Sequence, residues 1–552
     1  MLSSVVRSYF RQKFVTSRPL SAAAAAQLTP IAVPQWANFS PGGSSAHVMK
    51  NLVGGSWTTT KEVMGVVNPM DASSGDIVVQ PKTAVDELDP FVSSLASCSK
   101  TGLHNPLRNV DRYLMLGDVS RKAGEYLKSP EGEDYFAKCI VACMPKSFAQ
   151  ARGEVRVTAD FLCNFSGDNV RMLAEGFSVP GDHDGQESRG YRFPYGPCML
   201  ISPFNFPLEI PVLQLMGGLF MGNKILLKPS EKVGVVMEQF LRLLHDCGLP
   251  KTDVDLLNCE GPVASALLDL APVRLTQFTG STTVADIISK QTLGKVKIED
   301  AGFDWKILGP DVGDVEYVAW QSDQDAYACS GQKCSAQSIL FVHENWEKEG
   351  ILDKIKDLAE QRTLDDLTVG PVLTHTTEDI LGHTNKLLQI PGSELVTGGK
   401  ELEGHNIPSC YGAVSPTAVK VPIKEISEDS NFPLVTKEVF GPFQVVSTYK
   451  TSEIPLLLSL LERMSHHLTA ACVSNDVQFQ NLVLSCTVNG TTYCGRRART
   501  TGAPQNHFFG PSGDPRGAGI GSKEAIRNVW SSHREIIHDA MVPTSWKSPG
   551  RS

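Results

Sequence analysis

Several absences narrow the chain before any residue is singled out. Among its 552 residues there is no C-x-x-C, no H-E-x-x-H and no two cysteine pairs at zinc-finger spacing. Its 13 cysteines are therefore read neither as a disulfide framework nor as a metal set. Cysteine here means packing or a nucleophile. No G-x-G-x-x-G follows a predicted strand, so the ordinary dinucleotide fingerprint is missing. The most apolar run, MLISPFNFPLEIPVLQLMGGLFMG, is broken by Pro203, Pro207, Glu209 and Pro211, which a lipid-facing helix rarely tolerates. A net charge of -9 argues against a general nucleic-acid footprint.

Acid is also missing from the beginning of the chain, where the first carboxylate is Glu62. Residues 1–30 carry Arg7, Arg11, Lys13 and Arg18 among several serines. Basic, serine-rich and acid-poor is the composition of an organellar transit peptide, and the mitochondrial matrix is the expected address. A solvated basic tail would share that composition.

What remains is 41% hydrophobic and 20% charged, ordinary for a globular enzyme of two or three domains. Residues 31–60, rich in Pro, Gly and Ser, predict an extended arm. A helical pattern covers about 83–175, with Cys139 and Cys143 on one buried helix face. SRGYRFPYGPCMLISPFN predicts a strand, a turn at Tyr195-Gly196-Pro197 and a buried strand. Strands at GNKILLKPS, DVDLLNCE and RLTQFTG then alternate with helices, which predicts βαβ units and a parallel sheet covered on both faces. A second α/β block runs from about 299 to 505, including QSILFVH as a strand and NWEKEGILDKIKDLAEQR as a helix.

Six stretches carry the chemistry: ISPFNFP, LLKPSEK, QFTGSTT, IEDAG, SGQKCSA and KEVFGPF. In order and spacing they resemble the aldehyde dehydrogenase superfamily. GQKCSA, ISPFNF and EDAGFDWKILGPD are most similar to its plant-type mitochondrial 1-pyrroline-5-carboxylate dehydrogenase branch. The resemblance implies an α/β fold of aldehyde dehydrogenase type. It would have a variant Rossmann NAD-binding domain over 31–298, a catalytic domain over 299–505, and an anchor loop and tail over 506–552. Strands near 176–196 and the tail would form a small β-rich oligomerisation element, giving homodimers or larger. The implied reaction is NAD-dependent oxidation of L-glutamate γ-semialdehyde to L-glutamate in proline breakdown, with proline dehydrogenase as an upstream partner. The alternatives are another semialdehyde, of succinate or methylmalonate, and a cofactor-free cysteine hydrolase.

Individual residues follow. An aldehyde gives up hydride only from a tetrahedral adduct, which a thiolate can form and leave as a thioester. Cys334, on a Gly-rich segment leading into a strand, is the expected nucleophile, exposed enough to attack and in a setting that can lower a thiol pKa. Cys329, five positions earlier, is expected to pack in the core. By resemblance, Asn205 donates to the oxyanion and Glu299 activates the hydrolytic water, although E-D-A-G-F replaces the usual E-L-G-G-K. The implied cofactor residues are Ser202, Pro203, Phe204, Lys228, Ser230, Glu231, Gly261, Gly280, Ser281, Glu438 and Phe440. Ser281 opens a helix whose free N–H groups suit a pyrophosphate. A carboxylate at Glu231 accepts ribose hydroxyls and repels a 2′-phosphate, favouring NAD. Phe206, Ser335, Gly521 and Ser522 are the implied substrate residues, Ser335 and the Gly521-Ser522 pair facing the substrate carboxylate.

Overall fold

The computed structural model describes residues 32–300 and 302–551. The basic segment expected to be a transit peptide lies outside them. Two seven-stranded sheets dominate. In the first, five parallel strands lie in the order Val296–Asp300, Leu275–Gly280, Pro197–Ile201, Lys224–Lys228 and Val254–Leu256. Helices Glu209–Phe220, Gly234–Asp246, Gly261–Leu270 and Thr282–Gln291 alternate with these strands along the chain. Near-continuous burial of strands such as Lys224–Lys228 follows from that double cover.

Residues 31–60 are not simply an extended arm. Asn51–Val53 and Ser56–Thr58 form a hairpin that continues the first sheet antiparallel to Val254–Leu256. The turn is made by Gly54 and Gly55, both at positive φ (56° and 86°), where glycine carries no Cβ penalty. Leu52 anchors the hairpin in the core, fully buried.

The second sheet is ordered Glu394–Thr397, Thr417–Lys420, Phe443–Tyr449, Gln337–His343, Asp304–Leu308, Thr469–Val473 and Thr491–Cys494. All its pairs are parallel except the first. The run expected as one helix after Gln337–His343 is two, Glu344–Lys348 and Ile351–Glu360. They are separated at Gly350, whose φ of 70° ends a helix. The chain leaves the first sheet after Asp300, not after residue 298. Glu299 and Asp300 complete the strand Val296–Asp300, so Glu299 belongs to the first sheet.

Helices Asp111–Lys128, Pro130–Cys143 and Phe148–Asn164 lie in the chain between that hairpin and the parallel strands, and Cys139 and Cys143 are buried as expected. The chain's last part returns to the first sheet. Ile298 N–H donates to the Arg516 carbonyl (2.9 Å) and Ala518 N–H to the Ile298 carbonyl (2.8 Å). The Trp530 indole packs on Gly217 and Gly218, and the Asn223 amide donates to the Trp530 carbonyl (2.9 Å). Ser531–Asp539 then pairs antiparallel along Gln186–Pro194, with Phe177–Pro180 on the other side, making a three-stranded sheet.

Candidate active site

The loop before Cys334 holds three consecutive residues at positive φ: Cys329 (56°), Ser330 (55°) and Gly331 (65°). Two of these are not glycine, a conformation that persists only where the surroundings enforce it. Here they do. Gly370 N–H donates to Ser330 Oγ (2.7 Å), the Gln332 amide donates to the Pro371 carbonyl (2.9 Å), and Leu373 N–H donates to Gln332 Oε1 (2.8 Å). Gly331 lies directly on the Gly441 carbonyl, where any Cβ would collide. Cys329 is buried, with Sγ donating to Gln150 Oε1 (3.4 Å), and borders neither cavity described below.

Cys334 is half-buried and stands where two cavities meet. The larger, about 950 Å³, is lined by Asn205, Glu299 and all the residues expected to bind a cofactor: Ser202, Pro203, Phe204, Lys228, Ser230, Glu231, Gly261, Gly280, Ser281, Glu438 and Phe440. Lys228 and Glu231 are ion-paired at one end. Ser281 is the N-cap of Thr282–Gln291 and its side chain makes no cap bond, so the helix starts without a side-chain cap where Gly280, Ser281 and Val284 line the cavity. Phe204 meets Phe440 edge-on, with centroids 5.9 Å apart, and Phe440 is held at a φ of 49°. Ser202 Oγ is buried without a hydrogen-bond partner among the described residues. The volume, the open helix terminus, the unpartnered hydroxyl and the two carboxylates Glu231 and Glu438 fit a nicotinamide dinucleotide.

Around the thiol the electrostatics are acidic. Burial, with the neighbouring Asp300 charge, raises the Glu299 carboxyl to about 7 despite its interaction with Cys334. One of its oxygens, Oε2, is buried without a partner among the described residues. Burial likewise raises Asp304 and Glu438 well above the carboxylate range. The Cys334 thiol moves up too, through burial first and then through Glu299, Asp304 and Glu438. The lowering of the thiol pKa that the sequence setting allows is thus reversed: with these surroundings Cys334 rests as a thiol.

Asn205 is 3% exposed and anchored from below. Its carbonyl accepts from Lys146 Nζ (2.6 Å), and the buried Lys146 pairs with Glu154 (3.0 Å). Glu154 Oε1 in turn accepts from the N–H groups of Leu208 (2.8 Å) and Glu209 (3.2 Å), capping the helix Glu209–Phe220.

The smaller cavity, about 340 Å³, is lined by Phe206 and Ser335 as expected, but not by Gly521 or Ser522. Ser522 Oγ caps Lys523–Trp530, accepting from Ala525 N–H (3.2 Å), and Gly521 is pressed on the Pro504 carbonyl at a φ of 87°. That pair serves a helix start. A different Gly-small pair, Gly502-Ala503, lines the cavity together with Arg499 and Thr501. The loop is pinned by the buried Asp325, which accepts from Thr500 N–H (2.9 Å) and Thr501 Oγ1 (2.7 Å) and pairs with Lys306 (2.7 Å). The Arg499 guanidinium lies over Tyr493, 4.9 Å from the ring centroid. Sequence reasoning missed Lys146, Glu154, Asp304 and Arg499. Only Arg499 left a signal, a basic residue just before a Gly-small pair in RTTGAP.

Residues 117–531 match the family described as "Aldehyde dehydrogenase family". The chain is 56% identical, over 98% of its length and 96% of the relative's, to a "Probable aldehyde dehydrogenase" of Linum usitatissimum. It is also 56% identical, over 92% of its length and 91% of the relative's, to "Delta-1-pyrroline-5-carboxylate dehydrogenase 12A1, mitochondrial" of Arabidopsis thaliana. In fold it matches the crystal structure of an NAD-dependent aldehyde dehydrogenase from Sinorhizobium meliloti. There the TM-score is 0.77 at 19% identity, covering 91% of this chain and 96% of the other.

Proposed function

The chain belongs to the aldehyde dehydrogenase family, and from that premise we propose that it oxidises L-glutamate γ-semialdehyde to L-glutamate with NAD in the mitochondrial matrix, as a step of proline breakdown. The observation that carries this reading is the place of Cys334, on the wall shared by a dinucleotide-sized cavity and a smaller one bearing Ser335, Arg499 and the Gly502-Ala503 backbone.

Cys334 Sγ attacks the aldehyde carbon and forms a C–S bond. Its proton passes to Glu299, which is poised near neutrality beside it. The oxyanion is held by the Asn205 amide and the Cys334 N–H. A bound nicotinamide dinucleotide supplies the hydride acceptor that converts the thiohemiacetal to a thioester. Glu299 releases that first proton to solvent, then takes a proton from the attacking water and hands it to the Cys334 sulfur as the C–S bond breaks and the carboxylate product forms. Ser335, Arg499 and the N–H groups of Gly502 and Ala503 hold the substrate carboxylate, in place of the Gly521-Ser522 loop. Glu231 favours NAD over NADP by taking the ribose hydroxyls. The ionisable groups beside the thiol are carboxyls, unlike the imidazole pairing of a cysteine hydrolase.

Phe177, Val179 and Ile537 leave apolar surface exposed on the three-stranded sheet. This is the basis for assigning that sheet to association between copies of the chain. The functional test is reduced-nicotinamide absorbance across glutamate, succinate and methylmalonate semialdehydes and propanal. The glutamate-derived aldehyde is expected to give the highest kcat/KM, and equal values across the panel would sink the substrate assignment.

A further inference from the structure

Glu209 is the first residue of the helix Glu209–Phe220 and lines the smaller cavity. It is only 6% exposed, and among the described residues its carboxyl has no hydrogen-bond or ion-pair partner. A helix start attracts an acid through its free N–H groups. Here, however, Glu154 already accepts from the N–H groups of Leu208 and Glu209, so capping does not require the Glu209 carboxyl. Burial and the like charge of Glu154 push that carboxyl up to about 8, against the opposing pull of Lys146 and Lys333. A buried carboxyl in this state gains most from a cation arriving in the cavity.

Elimination identifies the cation, and this step rests on the substrate proposed above. Cys334 takes the aldehyde carbon, while Ser335 and Arg499 take the carboxylate. The α-ammonium remains. Two acids line the cavity, and Glu154 is already occupied by Lys146 and two backbone N–H groups. We propose that Glu209 receives the α-ammonium and so selects amino-acid semialdehydes over semialdehydes of the same length that lack the amino group. A site built to pair a polar substrate group rejects the analogue without it, because its own buried group is then left unpaired.

The test compares glutamate semialdehyde with 5-oxopentanoate, which differs only in lacking the ammonium, on the wild-type enzyme and on Glu209→Gln and Glu209→Asp. Glu209→Gln should raise KM for the aminated aldehyde by about 10–100-fold, the range of a charge-assisted hydrogen bond. It should leave kcat and the KM for NAD nearly unchanged and not raise KM for 5-oxopentanoate, while Glu209→Asp restores part of the preference. An unchanged ratio between the two aldehydes, or an equal loss on both, overturns the inference. If the variants fail to fold, product inhibition of the wild-type enzyme decides: L-glutamate should bind about tenfold tighter than glutarate, and equal binding overturns the inference. Failure of the underlying functional reading looks different, because the wild-type enzyme would then oxidise glutamate semialdehyde no better than propanal.

Discussion

The two cavities that meet at Cys334 are built on different plans. The larger collects residues from the ends of strands in one doubly wound sheet: Ser202 after Pro197–Ile201, Lys228 closing Lys224–Lys228, Gly280 closing Leu275–Gly280, and Glu299 in Val296–Asp300. Its shape follows from the ladder, as in other open α/β sheets where ligands bind beyond the carboxyl ends of strands. The smaller is assembled from a helix, a helix start and a loop, tied together by the buried pairs Lys146–Glu154 and Lys306–Asp325. Topology therefore determines the larger cavity, and charge placement determines the smaller one. Substitutions on each side should separate cleanly in kinetics, with only the residues at the junction affecting both.

Cys334→Ser is the most severe disruption of that comparison, since the thiol serves both cavities. Oxidation should fall by about 10⁴-fold or more, while NAD binding, read by fluorescence quenching of the reduced form, persists. Asn205→Ala comes next, with kcat expected to drop about 10²–10³-fold at an unchanged KM for NAD. Glu299 sets the pH dependence. Its base form is the active one, so kcat should rise with pH through about 7, and Glu299→Gln should remove that rise in a pH–rate profile. Arg499→Met and Glu231→Gln sharpen the contrast between the sides. The first should raise only the aldehyde KM, by about tenfold, and the second only the KM for NAD, by a similar factor with better use of NADP. If either change moved both constants together, the two-plan description would fail.

The smallest expected effect is on stability. The folded-state pKa values of Glu209 (about 8) and Glu299 (about 7) lie above the usual value of 4.5. Each therefore contributes fully below the unfolded value and loses that contribution as pH rises through its folded value. Tm should fall between pH 5 and 9, less steeply in Glu209→Gln than in the wild type, as calorimetry would show.

Legibility from sequence divides along the same line. Residues at strand ends were readable because each sits at a fixed offset in a short motif, from PFNFP to EVFGPF, and no long-range charge balance was needed to place them. The aldehyde side depends on groups far apart in the chain. Lys146 and Asp304 carry no local signature, and the upward shift of the Cys334 thiol arises from Glu299, Asp304 and Glu438, which only the folded structure brings near it. The Gly521-Ser522 pair is expected at the substrate by resemblance of GAGIGSKEA to an anchor loop, whereas Gly502-Ala503 is the pair that lines the cavity. The difference is that Ser522 begins a helix, and its hydroxyl is engaged there. The hairpin at residues 51–58 was hidden by three-residue strands too short to show alternation.

The return of residues 516–539 to the first sheet sets an order in time. Synthesis runs from the N-terminus, so the strand carrying Glu299 and the segment bearing Cys334 are made while Ile298 still lacks its bonds to Arg516 and Ala518 and Gln186–Pro194 lacks Ser531–Asp539. Until then Val296–Asp300 is an open sheet edge, the kind of surface on which unfinished chains associate wrongly. Residues 516–539 thus seal the wall that holds Glu299 only after the segment bearing Cys334 has been made, and a chain caught between those two points carries that cysteine without a finished chamber around it.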